Sequence, residues 1–128
     1  MVGDYANVKS LQPAIDTESD LLKRGLEAKG FQTTLVPQAE LQEVSGMRAA
    51  LAAFASCASS CEVSVIIASG HGMHLRDRPG RDGVHLAAGG FQRGCGLVHF
   101  LPFRDIEKAA TACKSNLILY GACRDTWR

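Results

Sequence analysis

Hydrophobic positions recur at two different periods along this chain, and the periods take turns. Residues 16–29 read as a helix: Thr17 and Asp20 have the spacing of a capping box, Leu21, Leu22 and Leu26 form one apolar stripe, and Gly30 is placed to end it. A strand is predicted at residues 31–36. Leu41, Val44, Met47, Leu51 and Phe54 then recur at spacings of three and four, a core-facing stripe that Cys57 extends as a packing residue. Residues 63–68 form a nearly continuous apolar, β-branched run, the pattern of a strand buried on both faces, and Ser69-Gly70 bounds it.

Residues 72–83 are polar and rich in turn formers, so a mobile surface loop is expected there. Two short extended pieces, 84–87 and 97–100, flank the glycine-rich stretch 89–96 and suggest a small hairpin or crossover. A helix over 103–113 aligns Ile106, Ala109, Ala110 and Cys113, and a last strand runs from 117 to 120. The alternation of helices and strands predicts an α/β fold in a single domain spanning residues 1–128.

Composition narrows the picture without naming a ligand. At 128 residues, 46% hydrophobic and 21% charged, the chain can close one core without a metal or disulfide staple. Its 14 basic and 13 acidic residues nearly balance, so no bulk field argues for nucleic acid or for an anionic membrane. Neither a signal-peptide pattern nor an 18-residue apolar run is present in the sequence, and a cytoplasmic setting is expected. The five cysteines, at 57, 61, 95, 113 and 123, are odd in number and lack framework spacing, which favours free thiols in a reducing compartment.

Two strand ends carry the candidate chemistry. Ser69-Gly70-His71-Gly72 closes one apolar strand, and Gly121-Ala122-Cys123-Arg124 closes another. In an open parallel sheet, ligands gather beyond the carboxyl ends of the strands. If the two strands lie parallel and adjacent, an imidazole and a thiol meet at one sheet edge. A thiol needs that help, because at an unperturbed pKa of about 8.5 only a few per cent is thiolate at neutral pH. Taken singly, a cysteine at a strand end is more often a small buried hydrophobe, and a histidine a satisfied polar residue. As a pair with matching flanks, His71 and Cys123 read as base and nucleophile.

Other groups carry less. Cys57 and Cys61 with His71 and His74 lack the spacing of known zinc sites, and neither a metal nor another cofactor is expected. Asp77 and Asp82 are interleaved with Arg76, Arg78 and Arg81, which would repel calcium. His85 and His99 read as surface or packing residues and Trp127 as a packing anchor. No phosphate loop or G-x-S-x-G motif occurs.

The paired motifs resemble the caspase, paracaspase and metacaspase superfamily of cysteine peptidases. The caspase signature is Gln-Ala-Cys-(Arg/Gln/Gly)-Gly with its histidine about 50 residues upstream. Here Ala122, Cys123 and Arg124 agree with it, and the separation is 123 − 71 = 52. The likeness also runs through Asp4-Tyr5, residues 11–16 and Gly30-Phe31. It implies a three-layer sandwich with a mostly parallel central sheet and helices on both faces, incomplete at its edges. It implies a cysteine endopeptidase acting on a protein or peptide substrate, with His71 and Cys123 as the dyad and the backbone N–H groups of Gly72 and Cys123 as the oxyanion hole.

For specificity, the resemblance matches Asp16 and Gly121 to two positions that in metacaspases and paracaspases are aspartates holding arginine or lysine. Gly121 leaves one carboxylate out, so a weakened basic preference is expected. The competing reading of Asp16 is a helix cap. The family also continues beyond its cysteine turn with two further strands. The expectation is therefore a large-subunit-like chain whose open edge takes a small-subunit segment or a second copy. A catalytically inactive interaction module that pairs with an active partner is the alternative function.

Overall fold

The computed structural model describes residues 1–8, 10–75, 83–92, 94 and 96–122. Helix α1 (Gln12–Ala28) begins four residues earlier than its apolar stripe suggests. Pro13 sits in the first turn, where a missing N–H costs nothing. The residue before the helix is Leu11, whose side chain caps nothing. Ser10 takes over part of that role: its hydroxyl oxygen accepts the Gln12 N–H at 3.2 Å and donates to the Gly3 carbonyl at 3.1 Å. Thr17 and Asp16 therefore lie inside the helix, and both capping expectations fail. The Thr17 hydroxyl instead donates back to the Pro13 carbonyl.

The far end closes as expected. Gly30 has φ +89, its N–H donates to the Glu27 carbonyl, and the Phe31 N–H donates to the Leu26 carbonyl. These are the two bonds of a Schellman motif, and the positive φ is why glycine stands there.

The segment after it, residues 31–37, pairs with no strand among the described residues, although Phe31, Thr33 and Val36 are half-buried. A short 3-10 turn (Gln38–Leu41) leads into α2 (Val44–Ala58). Leu41, Val44 and Met47 are buried as the stripe predicts, with Leu51 and Phe54 half-buried. At the end of the helix it is Ala58 that turns inward, and Cys57 is exposed rather than packed.

Strand β1 (Val63–Gly70) follows, then β2 (Gly72–Leu75), β3 (Gly83–Ala87), β4 (Phe100–Pro102), helix α3 (Phe103–Ala110) and β5 (Ser115–Ala122). Among the described residues the expected single, mostly parallel sheet is replaced by two smaller ones. β1 and β5 form a parallel pair, and β2, β3 and β4 form an antiparallel sheet in that order. The stretch expected to be a loop holds β2 at its start and Gly83 of β3 at its end, and residues 76–82 between them fall outside the described ones. Residues 97–99 form a 3-10 turn, not a strand.

The parallel pair is covered unevenly. On one face Ile66, Ala68, Ile118 and Tyr120 join the core, where α3 packs and the Phe103 ring meets the edge of Tyr120 at 5.1 Å. On the other face Leu117 and Leu119 keep 52% and 43% of their surface while Val65 and Ile67 are half-buried, so this face is only partly covered. The core proper lies between α2, α3 and the antiparallel sheet, with Leu86, Phe91, Phe100, Leu101 and Ile106 buried in it. Val2 and Tyr5 enter the same cluster from the N-terminal segment, which runs beside β1 and donates the Val2 N–H to the Ser69 carbonyl at 2.7 Å.

Candidate active site

His71 occupies the single residue between β1 and β2, where the chain leaves the parallel pair for the antiparallel sheet. Three hydrogen bonds hold its backbone in a closed ring. The His71 N–H donates to the Tyr5 hydroxyl oxygen at 2.8 Å, and that hydroxyl donates to the Ala87 carbonyl at 3.1 Å. The Ala87 N–H returns to the His71 carbonyl at 2.9 Å. The Tyr5 ring also meets the imidazole edge-on, with centroids 4.6 Å apart. Burial pushes the Tyr5 hydroxyl far above the ordinary tyrosine range, with the His71 N–H opposing more weakly and Tyr120 adding slightly, so it stays protonated and can serve as both donor and acceptor.

The glycine before His71 makes room for this ring. Gly70 has φ +150, and a Cβ built there would stand 2.6 Å from the Tyr5 hydroxyl oxygen. Gly72, the proposed oxyanion donor, opens β2 in register with Leu86 and is buried.

The second strand end is described as far as Ala122; Cys123 itself lies outside the described residues, as does Trp127. β1 and β5 pair with one constant offset, from Val63 with Ser115 to Gly70 with Ala122. The residues immediately before His71 and Cys123 are thus cross-strand partners, and 122 − 70 equals 123 − 71 at 52. Just below, Ser69 is opposite Gly121 and donates its hydroxyl to the Gly121 carbonyl at 2.8 Å, tying the two strand ends together.

The two residues assigned to substrate binding are placed differently. Gly121 is exposed and shares a shallow groove with Glu18, Leu21, Ile67 and Leu119. Asp16 does not line that groove. It is exposed on α1 and accepts a hydrogen bond from the Gln12 side-chain amide. Two residues on a helix are separated by about 200° of rotation, so Asp16 and Glu18 project from different flanks. Glu18 is the carboxylate that lines the groove with Gly121, and only the helix phase set by buried Ile15 and Ser19 could have pointed to it.

Among the remaining groups, the Cys113 thiol is buried, its sulfur 3.2 Å from both the Cys61 and the Ser115 carbonyl oxygens, which share its one proton. Cys61 is exposed, and Cys95 lies outside the described residues. Among the described residues no three histidine, cysteine or acidic side chains converge as a metal cluster would, and no helix is long and apolar enough to cross a membrane.

His85 is a packing residue, buried in β3 with its Nδ1 3.0 Å from the Gly83 carbonyl. Burial is the largest influence on it and lowers its proton affinity; the Gly83 carbonyl opposes, Arg104 and His74 lower it further, and Asp105 opposes. The unfolded chain therefore takes up a proton near the ordinary histidine value of about 6.5 while folded His85 remains neutral. This contribution to stability is complete above about pH 6.5 and is lost as the pH falls from there toward the lower folded value. Urea unfolding between about pH 7.5 and 5 should show a falling midpoint that His85→Gln makes shallower; an equally steep fall in the variant would assign the acid sensitivity elsewhere.

No family model, curated protein or solved structure matches this chain.

Proposed function

We propose that the chain is a caspase-like cysteine endopeptidase domain in which Cys123 is the nucleophile and His71 its base. The observation that carries the reading is the register of the parallel pair: Gly70 lies opposite Ala122, and in the sequence the residues that follow these two are the histidine and the cysteine. The Cys123 sulfur would attack the scissile carbonyl carbon while His71 takes the thiol proton, giving a tetrahedral oxyanion held by the Gly72 and Cys123 N–H groups. The C–N bond then breaks, His71 protonates the leaving amine, and water, deprotonated by His71, hydrolyses the thioester. A preorganised oxyanion donor lowers such barriers by about 3–4 kcal/mol.

A basic residue before the cut is the expected preference, with Asp16 as its carboxylate by resemblance. Peptidyl fluoromethylketones ending in Arg, Lys and Asp test activity and preference together, because they alkylate only a competent nucleophile. Cys123 should be modified fastest by the basic reagents, and Asp16→Asn should reduce that preference by about two- to fivefold, the scale of an exposed ion pair. Loss of the preference in Glu18→Gln alone would give the pocket carboxylate to Glu18. A faster reaction with the Asp reagent would remove basic specificity altogether.

The interaction-module reading draws on a different feature. Among the described residues β5 pairs only with β1, and its Leu117 and Leu119 are exposed, which leaves an edge and a face on which another chain can add. A Cys123 inert to the whole reagent panel, in a chain that self-associates, would favour it.

A further inference from the structure

We infer that Tyr5 is the positioning residue of the histidine, and that its hydroxyl sets where the His71 imidazole stands relative to the incoming thiol. The inference rests on the dyad reading above. Most backbone amides that leave a strand find a partner in the next strand or in water. The His71 N–H instead goes to a side-chain hydroxyl 66 residues away in sequence. That hydroxyl is fixed in turn by the Ala87 carbonyl, and Ala87 holds the His71 carbonyl. With N–H and C=O both held, the φ and ψ of His71 are held, and so is the direction of its Cα–Cβ bond. The Tyr5 ring edge against the imidazole then restrains the remaining side-chain rotation.

The arrangement has little slack. Tyr5 retains 4% of its surface, and Gly70 leaves just enough room for its hydroxyl. A tyrosine serving only as core filler would not need the hydroxyl in this place: the ring would pack, and the polar atom would reach water or a single carbonyl. Here the one buried oxygen both accepts from the candidate base and donates to the strand that braces it. Tyr5 touches no substrate in this scheme and acts through His71 alone.

Carbamidomethylation by iodoacetamide at about pH 6.5, read cysteine by cysteine by peptide mapping, tests the inference, because it is sensitive to the thiolate that the imidazole stabilises. In the wild-type chain Cys123 should react about tenfold faster than exposed Cys57 and Cys61, and in His71→Ala at a rate similar to theirs. Tyr5→Phe, which keeps the ring and removes the hydroxyl, should slow Cys123 by about fivefold or more while buried Cys113 stays unreactive.

A merely structural role would act in the other direction, exposing Cys113 and raising all the rates together. An unchanged Cys123 rate in Tyr5→Phe, alongside a slowed one in His71→Ala, would overturn the positioning role and leave the dyad standing. A wild-type Cys123 no faster than Cys57, and indifferent to His71→Ala, would remove the dyad and Tyr5's role with it. Should Tyr5→Phe fail to fold, the His71 amide of the wild-type chain decides: hydrogen exchange must show it protected, and exchange at the free-peptide rate would overturn the inference.

Discussion

Cys123→Ala is expected to abolish peptide hydrolysis, and His71→Ala to lower it by about 10²–10⁴-fold, with the fold retained in both. The two losses differ because the two groups do different things. An alanine methyl has no electron pair to offer the carbonyl, so no acyl-enzyme can form. Without the imidazole, the thiol still supplies its small thiolate fraction, and water can carry protons slowly. Retention of the fold follows from how His71 is held: the three hydrogen bonds that brace it use backbone atoms and the Tyr5 hydroxyl, none from the imidazole. The His71→Ala chain should therefore still unfold cooperatively in urea, with the Tyr5–Ala87 brace in place. Turnover of a basic peptide amide and urea titrations of the same preparations check both halves. Full activity in Cys123→Ala would end the peptidase reading; were the His71→Ala chain to unfold, the wild-type alkylation rate of Cys123 against that of Cys57 would decide the dyad.

What could be read from sequence depended on whether a feature is local. β1 announces itself as a β-branched run, α2 as a stripe with spacings of three and four, and the end of α1 as a glycine whose positive φ a Schellman turn demands. The start of α1 was harder: Pro13 and Ser10 open the helix without a standard cap, and the capping-box spacing of Thr17 and Asp20 misleads. β2 is hidden because it follows His71 without a turn residue other than glycine, and because its four residues precede a polar stretch. The segment 31–37 has the alternation of a strand but pairs with none among the described residues. At the site, the two strand ends are legible as motifs, and their separation of 52 becomes informative once the pairing offset of β1 with β5 is known to be the same number. Tyr5 and Glu18 were not legible, since one depends on contacts across 66 and 82 residues and the other on helix phase.

Gly70→Ala is expected to destabilise the chain by roughly 2–4 kcal/mol and to slow Cys123 alkylation as Tyr5→Phe does. The backbone there has φ +150, which an L-residue adopts only with strain of about 1–3 kcal/mol. The added methyl also finds no free space. It would stand 2.6 Å from the Tyr5 hydroxyl oxygen, 3.0 Å from the Val2 carbonyl oxygen and 3.3 Å from the Val2 Cβ. None of these gives easily: the hydroxyl is engaged with Ala87 and His71, and Val2 is 1% exposed with its N–H on the Ser69 carbonyl. If the hydroxyl moves, the His71 N–H loses its partner and the clamp opens. If Val2 moves, the N-terminal segment leaves β1. Gly30 supplies the control, because at φ +89 it is also in the left-handed region, but a Cβ there would meet nothing within 4 Å. Gly30→Ala should cost only backbone strain, about 1 kcal/mol, and leave Cys123 reactivity unchanged. Urea unfolding of the two variants side by side measures the difference. Equal destabilisation would mean that the Tyr5 hydroxyl yields without cost, and a Gly70→Ala chain with wild-type alkylation of Cys123 would separate the glycine from the positioning of the histidine.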